Sequence, residues 1–201
     1  MLVLSASAAR AEVVVNEVET SWQGCVYRLK VVDPHGTPNK PRPTPRYNTY
    51  LERDSVSPGS CALEPTSILL NSDPSEDQSE IAIAAHEEGL VIAWTWGGWN
   101  PFIGYARTLH LRRLDMTTLY TRRNTQLNAI VEKPDGTPQS SGRVYLSGLT
   151  LTTDSVELTG TLRGNHLFAG SLASARGEGG HFTALYPDFF RSTQPPLLAI
   201  Q

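Results

Sequence analysis

Tyr105-Ala-Arg-Thr-Leu-His-Leu-Arg-Arg-Leu114 is the stretch that best reveals the fold of this chain. Leu109 and Leu111 fall on one side, whereas Thr108, His110 and Arg112 fall on the other. An alternation with a period of two is typical of a half-buried β-strand. Arg143–Leu149 alternates in the same way. Both segments therefore predict strands with one face in a core.

Further segments of this kind extend over most of the 201 residues, and the 16 glycines and 14 prolines supply the turns between them. We therefore predict an all-β protein built from one or two immunoglobulin-like antiparallel β-sandwich units. The predicted strands are Glu12–Val18, Cys25–Val32, Tyr47–Arg53, Thr66–Leu70, Ile81–Ala85, Leu90–Trp96, Tyr105–Leu114, Thr117–Thr121, Leu127–Glu132, Arg143–Leu149, Ser155–Leu162, His166–Ser171, Gly180–Leu185 and Leu197–Ile200.

The segment 73–89 has two interpretations. Asp73 and Pro74 could begin a helix that ends at Gly89. Alternatively, Ile81–Ala85 and Leu90–Trp96 form a hairpin. We favour the hairpin because the second arm is rich in residues that prefer strands.

An internal echo suggests two units. Val31–Pro38 recurs as Val131–Pro138, with a Pro-x-Gly-Thr-Pro motif in both, and further matches lie at the same offset. We predict a first unit at 12–114 and a second at 115–201, with coincidence inside one larger β domain as the alternative.

The echo also carries a resemblance. A strand, a Pro-x-Gly turn and a second strand, as in Tyr27–Pro38 and Leu127–Leu146, resemble the opening hairpin of immunoglobulin-like and carboxypeptidase-regulatory-like (transthyretin-like) β-sandwiches. The resemblance implies a fold and carries no catalytic residues.

Residues 1–11 and the two cysteines bear on the compartment. Residues 1–11 are small and apolar and contain Ala9-Arg10-Ala11, which fits a signal-peptidase site, so they are read as a signal-peptide remnant or as a frayed terminus. Cys25 and Cys61 match no zinc motif. A disulfide between them, worth about 3–4 kcal/mol in the chain-entropy model, favours a secreted or cell-surface protein. Two buried free thiols remain the alternative.

Charge and motifs limit the function classes. A net charge of −3 argues against nucleic acid as the main partner, and no apolar run is long enough for a membrane helix. The common nucleophile, phosphate-binding and zinc-protease motifs are absent from the sequence. We therefore predict no catalytic residue, no metal site and no cofactor.

Two charged groups are read as structural. The acidic segment 73–80 is interpreted as a solvated, helix-capping loop, with a weak calcium site as the alternative. The basic residues near the predicted boundary are interpreted as bridges between the units, with an anionic partner such as a sulfated glycan as the alternative. They are Arg107, His110, Arg112, Arg113, Arg122 and Arg123.

The aromatic stretch 94–105 is the best candidate site. Trp94 and Trp96 share a strand face and are expected in the core, whereas Trp99 follows two glycines and is expected on an exposed loop. Exposed aromatic rings stack against sugars or partner proteins. The predicted ligand-binding residues are Trp99, Asn100, Phe102 and Tyr105.

The leading function is a non-catalytic binding or adhesion module for a glycan or a protein partner. Two alternatives stay open. One is a structural or assembly component of a cell surface, in which exposed edge strands pair into a homo-oligomer. The other is a hydrolase whose site the sequence does not reveal.

Overall fold

The computed structural model describes residues 12–34, 46–100, 104–170 and 173–201. These residues form an all-β protein with fifteen strands. The strands are β1 (Val13–Trp22), β2 (Cys25–Asp33), β3 (Asn48–Ser55), β4 (Thr66–Leu69), β5 (Ile81–His86), β6 (Gly89–Asn100), β7 (Gly104–Leu114), β8 (Thr121–Glu132), β9 (Pro138–Ser141), β10 (Arg143–Leu151), β11 (Val156–Arg163), β12 (His166–Ala169), β13 (Ala173–Arg176), β14 (Gly180–Tyr186) and β15 (Leu197–Ile200).

The first sheet has four antiparallel strands in the order β1-β2-β3-β4. Its central strand β2 is the most apolar, and Tyr27, Leu29 and Val31 point from it into a core. Cys25 at the start of β2 forms a disulfide with Cys61, as predicted. The bridge ties the loop between β3 and β4 to the sheet.

The second sheet has eleven strands, of which eight follow the order β13-β12-β8-β7-β10-β11-β14-β15. The β5–β6 hairpin extends it beside β7, and β9 pairs with β8. The sheet curls until its terminal strands β13 and β15 lie against each other. This nearly closed sheet encloses the larger of two cores.

Strand β6 lies between the two cores. Val91 and Ala93 point into the core inside the curled sheet, whereas Leu90, Ile92 and Trp94 point towards the four-stranded sheet. A strand buried on both faces reads as a nearly continuous apolar run, and Leu90–Trp94 is one. The four-stranded sheet therefore packs on the outer face of β5, β6 and β7.

Two arginines join distant segments by donating to backbone carbonyls. Arg53, which is buried, donates to the carbonyls of Glu64, Met116 and Thr117, and so holds β3 to the turn after β7. Arg123 donates to three carbonyls between residues 189 and 194 and lies over the Phe189 ring. These bonds fix the β7–β8 region to both sheets.

Most predicted strands are present, and the 73–89 segment contains the predicted hairpin, with β5 and β6 closing at His86 and Gly89. The strand predicted at Thr117–Thr121 is wrong. Residues 115–120 form a turn in which the Asp115 carboxylate accepts two backbone hydrogen bonds and Leu119 has a positive φ of 57°. Asp and Thr side chains favour such turns over strands.

The predicted division at residue 114 falls at the end of β7, which pairs with β8 across it, so the second sheet continues through this point. The predicted turn after Val131 is present at residues 133–137. Its counterpart after Val31 extends beyond the described residues, as does the predicted signal remnant at 1–11. The two-unit division stays a prediction. Among the described residues, no helix has the length and apolarity needed to cross a bilayer.

Candidate functional site

A groove of about 490 Å³ opens on the outer face of β6, β7 and β8, beside the edge of the four-stranded sheet. One wall is the segment Leu70–Asp73, which follows β4. The floor and the other wall come from the three adjacent strands. The groove therefore lies where the four-stranded sheet stops covering the curled one.

Antiparallel register places the side chains of the floor in three rows. One row holds Trp96, Thr108 and Asn128, and the Thr108 hydroxyl lies 2.9 Å from the Asn128 amide oxygen. The next row holds Trp94, His110 and Gln126, and the last contributes Arg112, whose strand neighbours Ile92 and Asn124 do not line the groove. Indole rings thus line one side of the floor and polar groups the other.

The indole of Trp96 is held in a fixed position at one end of the groove. Its Nε1 donates to the Asp73 carbonyl at 3.0 Å, and its ring lies over Gly98. A Cβ at Gly98 would lie 2.5 Å from the Trp96 ring. The glycine is therefore required by this close approach. Trp96 is half-buried, whereas the sequence predicted a core residue.

Trp94 forms the closed floor of the groove, since it is 1% exposed. The His110 ring stacks on it at 4.9 Å, and the Arg112 guanidinium lies 4.7 Å from its ring centroid. Burial, and secondarily the charge of Arg112, lower the pKa of His110 to about 4. The imidazole is therefore neutral at pH 7 and can both donate and accept a hydrogen bond.

The structure describes the side chains of two of the four predicted ligand residues, Trp99 and Tyr105, and of these two Trp99 lines the groove. Trp99 is 67% exposed and lines the groove, and it pairs across the hairpin with Tyr105. Asn100 ends β6 and pairs with Gly104, and Phe102 lies outside the described residues. Tyr105 does not line the groove; its ring lies 4.8 Å from the guanidinium of Arg143.

Trp99 lies on a strand and not on the expected loop, because β6 continues through Gly97 and Gly98 to Asn100. Each glycine leaves room for one aromatic side chain. The Trp96 ring packs over Gly98, and a Cβ at Gly97 would lie 2.4 Å from the Tyr105 hydroxyl. Burial, and secondarily the neighbouring carboxylate of Asp77, raise the pKa of Tyr105.

The sequence did not predict most of the polar residues that line the groove to be ligand contacts. Thr108, His110 and Arg112 had been placed on one strand face by their alternation, and that face is the groove. Gln126 and Asn128 carry no local signal, because their position follows from the register of β8 against β7. The available signal was the polar face of 105–114 beside the tryptophan-rich strand.

A second polar cluster surrounds Arg107, which is buried on the inner side of β7. Its guanidinium contacts Asp77 at 2.8 Å and Glu80 at 2.7 Å and also lies 2.9 Å from the Thr95 hydroxyl. Burial lowers the pKa of Arg107, but the bonds to Glu80 and Asp77 outweigh this effect, so the net shift is upward. The cluster pins segment 73–80 along β6.

The acidic segment is therefore not the helix-capping loop that the sequence suggested. The Glu76 amide donates to the Gly97 carbonyl, and the Thr95 amide donates to the Glu80 carbonyl. Nowhere in the described residues do three or more His, Cys, Asp or Glu side chains gather closely enough to hold a metal ion.

Among the described residues, the His166 imidazole contacts the Glu132 carboxylate at 3.3 Å. Arg176 contacts the other Glu132 oxygen at 3.5 Å. This trio links β8, β12 and β13.

Comparisons with protein-family models, with curated protein sequences and with solved structures found no match for the chain. The functional argument therefore rests on the groove.

Proposed function

We propose that the chain is a non-catalytic carbohydrate-binding protein whose ligand lies in the groove on β6, β7 and β8. The observation that carries the proposal is the pairing of aromatic and polar side chains across the floor. Trp96 and Trp99 lie beside Thr108 and Asn128 in an open groove.

A sugar ring presents an apolar face of C–H bonds and a rim of hydroxyls. Indole rings offer broad surfaces for the first, and amide and hydroxyl side chains offer donors and acceptors for the second. Because the Asp73 carbonyl fixes the Trp96 ring, little conformational freedom of that ring is lost when a ligand binds.

A protein partner fits the groove less well. A stable protein interface buries about 800 Å² on each side around an apolar centre. Of the large hydrophobic side chains that are exposed in the described chain, Trp99 is the one that lines the groove. The others lie away from the groove lining, on β1, β4 and β15 and in the turns that contain Val56 and Tyr120.

The experiment is a glycan-array screen followed by calorimetry of the hits. Trp96→Ala and Trp99→Ala are expected to weaken binding at least tenfold. Tyr120→Ala is the matched control, because Tyr120 is a 73% exposed aromatic residue outside the groove. Failure of every glycan to bind, or equal losses in all three variants, would contradict the proposal.

The assembly alternative has one observation in its favour. Val13, Val14 and Val15 are exposed on β1, an edge strand of the four-stranded sheet. Against it, β1 is bulged between Val14 and Asn16, and bulges interrupt edge pairing. Light scattering over a concentration series tests this alternative: Val14→Lys would dissociate an assembly built on β1.

We also infer that the protein is exported, and we propose that its fold is related to the immunoglobulin-like sandwich. The buried Cys25–Cys61 disulfide supports an oxidising compartment. The packing of the four-stranded sheet on β5, β6 and β7 supports a two-layer arrangement of the immunoglobulin-like kind, although the curled second sheet extends well beyond one layer.

A further inference from the structure

Arg112 differs from Arg107 on β7 and from Arg122 on β8, both of which have carboxylate partners. Arg107 contacts Asp77 and Glu80, and Arg122 contacts Asp115 at 2.9 Å. Arg112 instead donates from Nε to the Asn124 amide oxygen at 3.3 Å and lies over Trp94. Among the described residues, no carboxylate lies within ion-pair distance of its guanidinium.

The surroundings of Arg112 do not compensate its charge. Its side chain is half-buried, and burial lowers its pKa with no carboxylate acting in the opposite direction. The other titratable groups on the groove are His110, which is neutral at pH 7, and Asp73. Desolvating a cation costs free energy that an anion can return.

The guanidinium also has free hydrogen-bonding capacity. Its hydrogen bond to Asn124 uses Nε, and within the described residues neither terminal nitrogen donates to a protein acceptor. A guanidinium presents its donors as a planar fork that matches a carboxylate or sulfate group through two parallel bonds. The stacking of Arg112 on Trp94 holds this fork at the groove.

We propose that the groove recognises an acidic saccharide, and that Arg112 binds its carboxylate or sulfate group. The inference rests on the proposed carbohydrate-binding function and names its ligand class. Arg112 and Thr108 are four residues apart on β7, which corresponds to about 13 Å along a strand. A ligand that reaches from Arg112 to the Trp96 end is therefore an oligosaccharide with its acidic group at the Arg112 end.

Asp73 is consistent with this polarity. It lies at the Trp96 end, where its carbonyl holds the indole, and its exposed carboxylate can accept hydrogen bonds from sugar hydroxyls. The cation and the carboxylate thus lie at opposite ends of the floor. A neutral saccharide would leave the Arg112 charge without a partner.

The test measures affinity for two matched pairs by calorimetry. One pair is a galacturonic acid trisaccharide and its methyl ester, and the other is a sulfated oligosaccharide and its desulfated form. We expect at least a tenfold preference for the charged member of one pair, and which pair shows it identifies the anion. The preference should shrink as salt is raised.

Arg112→Gln should abolish the preference for the charged member of the pair. Arg112→Lys keeps the charge without the fork and should retain part of the preference, and it serves as the second variant if Arg112→Gln does not fold. Arg122→Gln is the control, because Arg122 is an exposed arginine on the same strand as Asn128 but outside the groove.

Equal affinity for both members of each pair, or an unchanged preference in Arg112→Gln, would overturn the inference about Arg112. Binding of neutral glycans that depends on Trp96 and Trp99 would in that case still support the proposed function. Absence of binding to charged and neutral glycans alike would contradict both proposals.

Discussion

Trp94 and Trp99 are five residues apart on β6 and provide a direct test of the separation between core and site. Trp94 is 1% exposed and stacks with His110 and Arg112, whereas Trp99 is 67% exposed. Trp94→Ala should lower the free energy of unfolding by about 3–5 kcal/mol, the usual cost of truncating a core aromatic.

The expected cost for Trp99→Ala is much smaller. A tryptophan side chain offers up to about 250 Å², and since about one third of Trp99 is buried, area bookkeeping at ~25 cal/mol/Å² gives about 2 kcal/mol as an upper bound. A compact denatured state and the Cβ that remains reduce this to about 1 kcal/mol.

Urea unfolding monitored by circular dichroism would measure both variants, and thermal unfolding would check them. At about 2–4 °C per kcal/mol for a chain of this size, Trp94→Ala should lower the Tm by roughly 6–20 °C and Trp99→Ala by about 2–4 °C. If Trp99→Ala destabilises as much as Trp94→Ala, Trp99 is a core residue and the groove loses its most exposed indole.

Three further predictions follow from buried charges and the disulfide. Because the pKa of His110 falls to about 4 in the folded protein, below its ordinary value of 6.5, the unfolded chain binds more protons between these values. The contribution of His110 to the free energy of unfolding should therefore be fully present above pH 6.5 and fall by up to about 3 kcal/mol towards pH 4. Urea midpoints of wild type and His110→Phe, measured across this pH range, would show whether His110 causes the decline. Arg107→Met should lower the free energy of unfolding by about 2–4 kcal/mol, which is less than the loss expected when a fully buried ion pair is broken. The reason is that the side chains of Asp77 and Glu80 are 41% and 36% exposed, so their carboxylates can regain water. Denaturant titration would measure this loss, with Arg122→Met, which breaks an exposed ion pair, as the control. Reduction of Cys25–Cys61 should lower stability by about 3–4 kcal/mol, and a Tm unchanged by reducing agent would exclude a stabilising disulfide.

The strands could be predicted because their signal is local. Alternation located Gly104–Leu114 within one residue, and a continuous apolar run located the start of β6. β9 and β13 were missed, because Pro138–Ser141 and Ala173–Arg176 contain no β-branched, aromatic or other large apolar side chain. The strand predicted at Thr117–Thr121 failed because Asp115 and Thr118 form local hydrogen bonds that compete with strand pairing.

The site was predictable in part. The exposure of Trp99 followed from its surroundings in sequence, but the assignment of the glycines to a loop was wrong. A glycine needed for chain reversal and one needed for close packing look alike in sequence. Two facts separate them: β6 stays extended through Gly98, and the Trp96 ring covers that residue. Both depend on long-range pairing.

The position of the groove follows from the length of β6. As far as Trp94, both faces of this strand are covered, one by the curled sheet and the other by the four-stranded sheet. Beyond Trp94 the strand continues in register with β7, but its outer face loses its cover, so Trp96 and Gly98 border open space. The floor is therefore a sheet face whose side chains are spaced by the ladder and not by loops. Because a hydrogen-bonded sheet holds these positions before any ligand arrives, the ordering cost of binding is small. Specificity should then depend on the identity of the floor side chains, above all Arg112.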